Sequence, residues 1–152
     1  MGPEYKKIIA TNKKAKRNFH ISDEYEAGIV LVGTEVKSIR AGRVNFQDSY
    51  ADYKNGEIFL RQLHINPYNQ TYYGNHEPLR SRKLLLNKFE IKRLAKKINE
   101  RGLTLIPLQI YFKNGRVKVK IGLAKGKKLY DKREDIKRRD IKRDLDREKK
   151  NY

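Results

Sequence analysis

Lysine and glycine crowd the stretch RVKVKIGLAKGKK, Arg116 to Lys128, and their spacing suits the gripping of phosphate. Arg116, Lys118 and Lys120 alternate with Val117, Val119 and Ile121, so a strand here would put three cations on one face and three aliphatic side chains on the other. Lys125, Lys127 and Lys128 extend the charge, while Gly122 and Gly126 remove side chains and would let backbone amides approach phosphates closely. Near the N-terminus, NKKAKRNFHI sets Lys13, Lys14, Lys16 and Arg17 beside Phe19 and His20. Such rings stack on unpaired bases, although Phe19, at a strand start, reads first as core. The chain has ten tyrosines and no tryptophan; Tyr68, Tyr72 and Tyr73 fall in a polar segment, and Tyr130 has nothing apolar around it. The plainer reading of the lysine row is a solvated edge strand guarded by its charges. A net charge of +19 tips the balance toward an anionic partner.

Catalytic chemistry finds less support. His20, His64 and His76 are scattered without metal-ligand spacing, and the absence of cysteine excludes disulfides, thiolate metal sites and thiol nucleophiles. GLAKGKK lacks the Gly-Lys-Ser/Thr ending of a phosphate-cradling loop that opens a helix. A metal-dependent nuclease would have to use Asp48, Asp52 and Glu57, whose spacing of four and five residues scatters them over both faces of a strand. The residues therefore point to a binding protein without cofactor or metal; a nuclease or RNA-processing enzyme on a similar scaffold is the alternative.

The composition agrees. There are 37 Lys and Arg against 18 Asp and Glu in 152 residues, and the sequence pI is near 10.1. A compact state that repels itself this strongly calls for a polyanion. Nucleic acid is the first candidate, because each neutralised phosphate releases a counterion; an anionic membrane surface is the second. The N-terminal MGPEYKKIIATNKKAKRNF has no apolar run of signal-peptide length, and no run of eighteen apolar residues occurs anywhere. Lys6 stands where a myristoylation signal needs Ser or Thr. The expectation is a soluble, cytoplasmic monomer.

The elements that must carry these residues are mostly strands. Asn55-Gly56 and Asn114-Gly115 each separate alternating runs, and Asn-Gly supplies the two positive φ angles of a type I′ hairpin turn. NFHIS and YEAGIVLVG read as two further strands. NKFEIKRLAKKINERG reads as a helix, with Asn87 and Glu90 as a capping box, an apolar stripe of Ile91, Leu94, Ala95 and Ile98, and Gly102 as the stop. TEVKSIRAG offers a shorter helix capped by Thr34 and ended by Gly42, and NPYNQTYYGNHEPLRSRK reads as an exposed loop. The sum is a mainly β domain, an antiparallel barrel of the oligonucleotide-binding type with two or three helices packed on it, over residues 1–130. Residues 131–152 form a basic tail. Its aliphatic residues, among them Ile136, Ile141 and Leu145, make too thin a stripe to dock, so it is expected to be mobile alone and helical when bound.

ATNKKAKRNFHISDEYEAGIVLVGTEVKSIRAGRVNFQDSYA, RSRKLLLN and KVKIGLAKGKKLYDKR, in this order and spacing, closely resemble the small protein B family of bacteria, which binds transfer-messenger RNA. The resemblance implies a barrel that clasps the tRNA-like domain of that RNA beside its D-loop and accompanies it into stalled ribosomes. The tail would enter the vacant message channel and fold near the decoding centre. Carried over by position, Asn12, Glu26 and Leu85 would contact RNA, with Lys13, Arg17, Lys118, Lys120, Lys125, Lys127 and Lys128 on phosphates. Tyr130, Asp131, Lys132, Arg133, Ile136, Lys137 and Arg138 would belong to the ribosome-binding tail. Tyr130 stands where some relatives carry a histidine; it can stack but takes no positive charge near neutral pH.

Overall fold

The computed structural model describes residues 5–68, 74–127, 133, 137–143 and 145. Both Asn-Gly pairs turn hairpins as their chemistry requires. β4 (Tyr50–Lys54) pairs with β5 (Glu57–Arg61) around Asn55 and Gly56, at φ 52° and 81°. β8 (Thr104–Lys113) pairs with β9 (Arg116–Gly126) around Asn114 and Gly115, at φ 51° and 79°. β7 (Arg82–Leu85) joins β5 to β2 (Phe19–Ile29), and β2 pairs with β9 along most of its length. The ring β8-β4-β5-β7-β2-β9 closes on itself, wholly antiparallel, and β1 (Lys6–Thr11) adds to the free part of β8. A closed ring leaves fewer exposed edges and turns one face of every strand inward. Two short strands, β3 (Val44–Asn45) and β6 (His64–Ile65), pair separately. The result is an OB-like barrel.

Ala27, Ile58, Leu60, Leu84, Leu105, Ile110, Val119 and Ile121 fill its interior. α3 (Lys88–Arg101) packs Leu94 into that core, with Ile91 and Ile98 beside it. Its capping box forms as read: Asn87 Oδ1 accepts from the Glu90 amide at 2.9 Å, and Glu90 Oε1 accepts from the Asn87 amide at 3.2 Å. Gly102 ends it at φ 61°. α2 (Gly33–Arg40) buries Ile39.

Three sequence expectations change, and one element appears that the sequence did not announce. NFHIS and YEAGI form one strand, β2, and the following residues leave the sheet; a bulge between Ile21 and Asp23 breaks the alternation that would have joined them. Val32, not Thr34, caps α2: Glu35 accepts from the Val32 amide at 2.9 Å, and Thr34 turns its hydroxyl to His76. The polar loop yields a buried anchor instead of ending in solvent. Arg82 is fully buried, donating to the Glu35 carboxylate and to the Leu63 carbonyl at 2.7 Å, while Arg80 holds the other Glu35 oxygen at 2.6 Å. Burial would push the Glu35 carboxyl up, but the hydrogen bonds from Arg80, the Val32 amide and Arg82 outweigh it and hold the group below its ordinary value. Finally, LysLysAlaLysArgAsn is a helix, α1 (Lys13–Asn18). In the tail, residues 137–143 are helical in the free chain, with Ile141 about half exposed.

Candidate RNA interface

α1 is held from below. The Asn12 amide donates to the Leu108 carbonyl at 2.7 Å, and its side-chain Nδ2 donates to the Pro107 carbonyl at 2.8 Å. Ala15 is buried against Ile106, Leu108 and Ala124, with Phe19 and Ile21 at the margin, in a second small core outside the barrel. Phe19 is thus a packing residue. With Ala15 facing inward, Lys13, Lys14, Lys16 and Arg17 are exposed. The same core explains Gly122: a Cβ there would stand 2.8 Å from Ile21 Cγ2 and 2.9 Å from Leu108 Cδ1, so this glycine serves close packing and not the approach of a phosphate. Gly126 is exposed with open space around it.

Beyond α1, the outer face of the barrel is laid out by strand register. Lys120 lies opposite Glu26 on β2 and Gln109 on β8; one step along, Lys118 lies opposite Gly28 and Tyr111. Glu26 is not an isolated carboxylate on a basic surface. It accepts from the Tyr111 hydroxyl at 2.5 Å and from Lys113 Nζ at 3.3 Å, and Lys6 Nζ sits 4.1 Å from the Tyr111 ring centroid. The Tyr111 hydrogen bond, aided by Lys113, outweighs burial and lowers the Glu26 carboxyl from its ordinary value, while burial and the same carboxylate raise the Tyr111 hydroxyl. Lys120 Nζ lies 3.9 Å from Glu24.

Leu85 lies opposite Gly28, its Cβ 3.2 Å from where a glycine Cβ would stand, so its side chain leans over the glycine. Strand parity sorts the run Leu84-Leu85-Leu86. Leu84 is buried and Leu86 packs on the core, whereas Leu85 is 50% exposed. Phe89, in the first turn of α3, is 84% exposed and was missed by the sequence reading. The signal was present: Phe89 is two residues, or 200°, from Ile91 and so falls off the apolar stripe that buries the helix.

One groove, of about 770 Å³, brings together Lys13, Lys16 and Arg17 of α1 with Lys120 of β9 and Lys127. Asn12, Gln109 and Glu24 also line it, as do Arg138, Arg139 and Arg143 of the helical tail. Lys125 is exposed opposite His20 in register. Arg133, Lys137 and Arg138 are helical and exposed. Lys128, Tyr130, Asp131, Lys132 and Ile136 lie outside the described residues, as do Tyr72 and Tyr73.

The residues considered for nuclease chemistry are arranged otherwise than expected. Asp52 opposes Phe59 and Glu57 opposes Lys54, which puts both carboxylates on the outer face, not on two faces. Each is engaged by a cation, Asp52 by Arg61 at 2.7 Å and Glu57 by Lys83 at 2.9 Å. Among the described residues no group of three His, Cys, Asp or Glu side chains is placed to hold a metal ion. His76 is structural: Nε2 donates to the Ile65 carbonyl at 2.9 Å, leaving Nδ1 to accept from Thr34 at 2.8 Å.

The chain and its barrel have counterparts among known proteins. A family model described as SmpB protein matches residues 9–151. The chain belongs to the SmpB family. Among similar family members, an SsrA-binding protein of Acetivibrio thermocellus is 56% identical over 147 residues, covering 97% of this chain and 96% of its own. Another, of Syntrophobacter fumaroxidans, is 58% identical, with 97% and 91% covered. A solved chain described under "tmRNA-SmpB: a journey to the center of the bacterial ribosome" is 50% identical with a TM-score of 0.67, covering 79% of this chain and 85% of that one. Among the described residues, no helix of this SmpB family member is long and apolar enough to cross a membrane.

Proposed function

We propose that this chain binds the tRNA-like domain of transfer-messenger RNA beside its D-loop and accompanies it to stalled ribosomes in trans-translation, in the cytoplasm and without catalysis of its own. The observation that carries this reading is the contiguous basic face where α1 meets β9, with Lys13, Lys16, Arg17, Lys120 and Lys127 around one groove. Cations so placed follow a phosphate backbone and fix its position. Relatives that carry the name SsrA-binding protein support the choice of RNA, and the solved relative on the bacterial ribosome supports the destination.

Within this reading Lys13, Arg17, Lys118, Lys120, Lys125, Lys127 and Lys128 meet phosphates. Leu85 offers an apolar surface to an unstacked base. Asn12 keeps its Oδ1 for RNA while Nδ2 holds Pro107. Glu26 acts through its neighbours, fixing the Tyr111 hydroxyl and Lys113, with its carboxylate still open to ribose or base donors. Residues 131–152 serve the ribosome instead, with Tyr130, Asp131, Lys132, Arg133, Ile136, Lys137 and Arg138 entering the message channel.

Truncation after Gly126 tests this division of labour. The shortened chain should bind the tRNA-like RNA with nearly unchanged affinity and lose ribosome rescue in a reconstituted translation assay. A collapse of affinity would make the tail an RNA-binding arm. Incubating the full chain with the RNA and magnesium addresses the enzyme alternative, since cleavage above background would replace the binding reading.

A further inference from the structure

α1 is a ridge with a groove on each side. The second groove, of about 900 Å³, runs between α1 and the turn at residues 44–50, with Ile106 of β8 in its floor and Gly126 and Lys127 at the end where the chain leaves the barrel. Its volume lies at the upper end of the roughly 300–1,000 Å³ that ligand sites enclose. The basic face proposed above lies on the other side of the ridge; the two grooves share Asn12, Lys13 and Lys127, but Lys14, Asn18, Gln47 and Tyr50 line this one alone.

The groove is built before any ligand arrives. Asn45 Oδ1 accepts from the Gln47 amide at 2.8 Å, and the Ser49 amide and hydroxyl both donate to the Phe46 carbonyl. Asp48 completes the turn at φ 61°, a left-handed conformation that aspartate tolerates better than most residues. Across from this turn, the Lys127 amide donates to the Asn18 carbonyl at 2.9 Å and ties the end of β9 to α1. Both walls are therefore fixed by hydrogen bonds.

Its lining has the chemistry of base recognition. Tyr50 presents a ring that is 38% exposed, and Gln47 and Asn18 supply side-chain amides that can both donate and accept. Lys13, Lys14 and Lys127 stand along the α1 side and the end of the groove. Rings for stacking, amides for base edges and cations for the backbone are the means by which proteins hold unpaired nucleotides; a duplex keeps its base faces stacked and hidden. We propose that this groove is a second RNA site, taking a short run of unpaired nucleotides while the opposite side of α1 holds structured RNA. The protein would then join two RNA segments across one helix, with the single strand lying at the root of the C-terminal tail.

The test uses the full chain and fluorescein-labelled hexauridylate, read by anisotropy against a short blunt RNA duplex. Hexauridylate should bind more tightly than the duplex to protein already saturated with the tRNA-like RNA. Tyr50→Ala should weaken the hexauridylate complex about tenfold, within the range for loss of one stacking ring, and Tyr50→Phe should restore it. Lys14→Glu, at an exposed position with no packing role, should weaken it severalfold while leaving the tRNA-like RNA unaffected. The proposal is overturned if the tRNA-like RNA displaces hexauridylate, if the duplex binds as well, or if Lys14→Glu and Tyr50→Ala both bind hexauridylate as the parent does. Failure of the tRNA-like RNA to bind would remove the reading of the first face only, because hexauridylate titrated alone onto the three variants still decides this groove.

Discussion

Removing the Lys118 and Lys120 charges together asks whether the outer face of β9 touches phosphate. The two residues share one face of the strand, opposite Gly28 and Glu26, and both are partly exposed. If each neutralises one phosphate of the helical part of the tRNA-like RNA, each contributes about 0.9 to the slope of log K against log salt. The double variant Lys118→Ala, Lys120→Ala should then show a slope shallower by about 1.8. Between about 50 and 200 mM salt, a fourfold change, the parent would lose about twelvefold more affinity than the variant. Low salt is where the two proteins differ most, and their affinities converge as salt rises. Lys120 lies 3.9 Å from Glu24, so its removal also bares a carboxylate; that adds repulsion at low salt and deepens the same trend. Fluorescence anisotropy with the tRNA-like RNA across a salt series reads the slope directly. An unchanged slope would return these lysines to the role of charges guarding a solvated strand and would leave the α1 cations Lys13, Lys16 and Arg17 of the groove to account for binding.

If the ring of Phe89, exposed on the first turn of α3, stacks on an unpaired base, Phe89→Ala should weaken the same complex by about 1–3 kcal/mol, with the salt slope unaltered because no phosphate contact is lost; a change in slope, or no change in affinity, would count against stacking there. Glu35→Gln should destabilise the fold by about 3–5 kcal/mol at neutral pH, since it leaves the fully buried Arg82 without its counter-charge. The Glu35 carboxyl is lowered in the folded state, so its contribution is complete above the unfolded carboxyl value near 4.5 and is lost as pH falls through the lower folded value. Urea titrations at descending pH should therefore show the gap between parent and variant narrowing only below that point, and a constant gap would refute the ion-pair account. Glu26→Gln removes a negative charge from the basic face and weakens the hold on the Tyr111 hydroxyl, and should tighten binding to random RNA duplex while lowering preference for the tRNA-like RNA; parallel titrations of the two RNAs check both.

What the sequence made legible was whatever local chemistry decides. Asn-Gly turns, the Asn87/Glu90 box and the alternation through β9 all act over a few residues, and all formed as read. The misses depended on partners far away in the chain. β1 carries Ile8, Ile9 and Ala10 in succession with a bulge between Ile8 and Ala10, so no period of two survives, and it exists because β8 offers an edge. α1 buries only Ala15 and owes its position to two hydrogen bonds from Asn12 to residues more than ninety positions away. Six residues with one buried side chain would not hold a helix alone. Arg82 looked like a loop cation because its partner, Glu35, sits on a different element 47 residues earlier. For the candidate site, charge and spacing picked out the cations, whereas the outward turn of Leu85 and the packing role of Gly122 followed only from register.

The acidic residues on this face bear on how a chain of net charge +19 can be selective. Free lysines would bind any polyanion, and their flexible stems would follow any spacing of phosphates. Here Glu26 holds Lys113 at 3.3 Å and Glu24 stands 3.9 Å from Lys120, while Tyr111 fixes Glu26 in turn. Each pairing weakens a cation for non-specific binding and narrows the positions it samples. Phosphates that arrive in the matching geometry lose less by this than phosphates that do not, because the ordering of those side chains is already done. If this face is the RNA interface, the carboxylates lower affinity in general and raise the contrast between one RNA shape and the rest, which would give a glutamate its place in the middle of a basic surface.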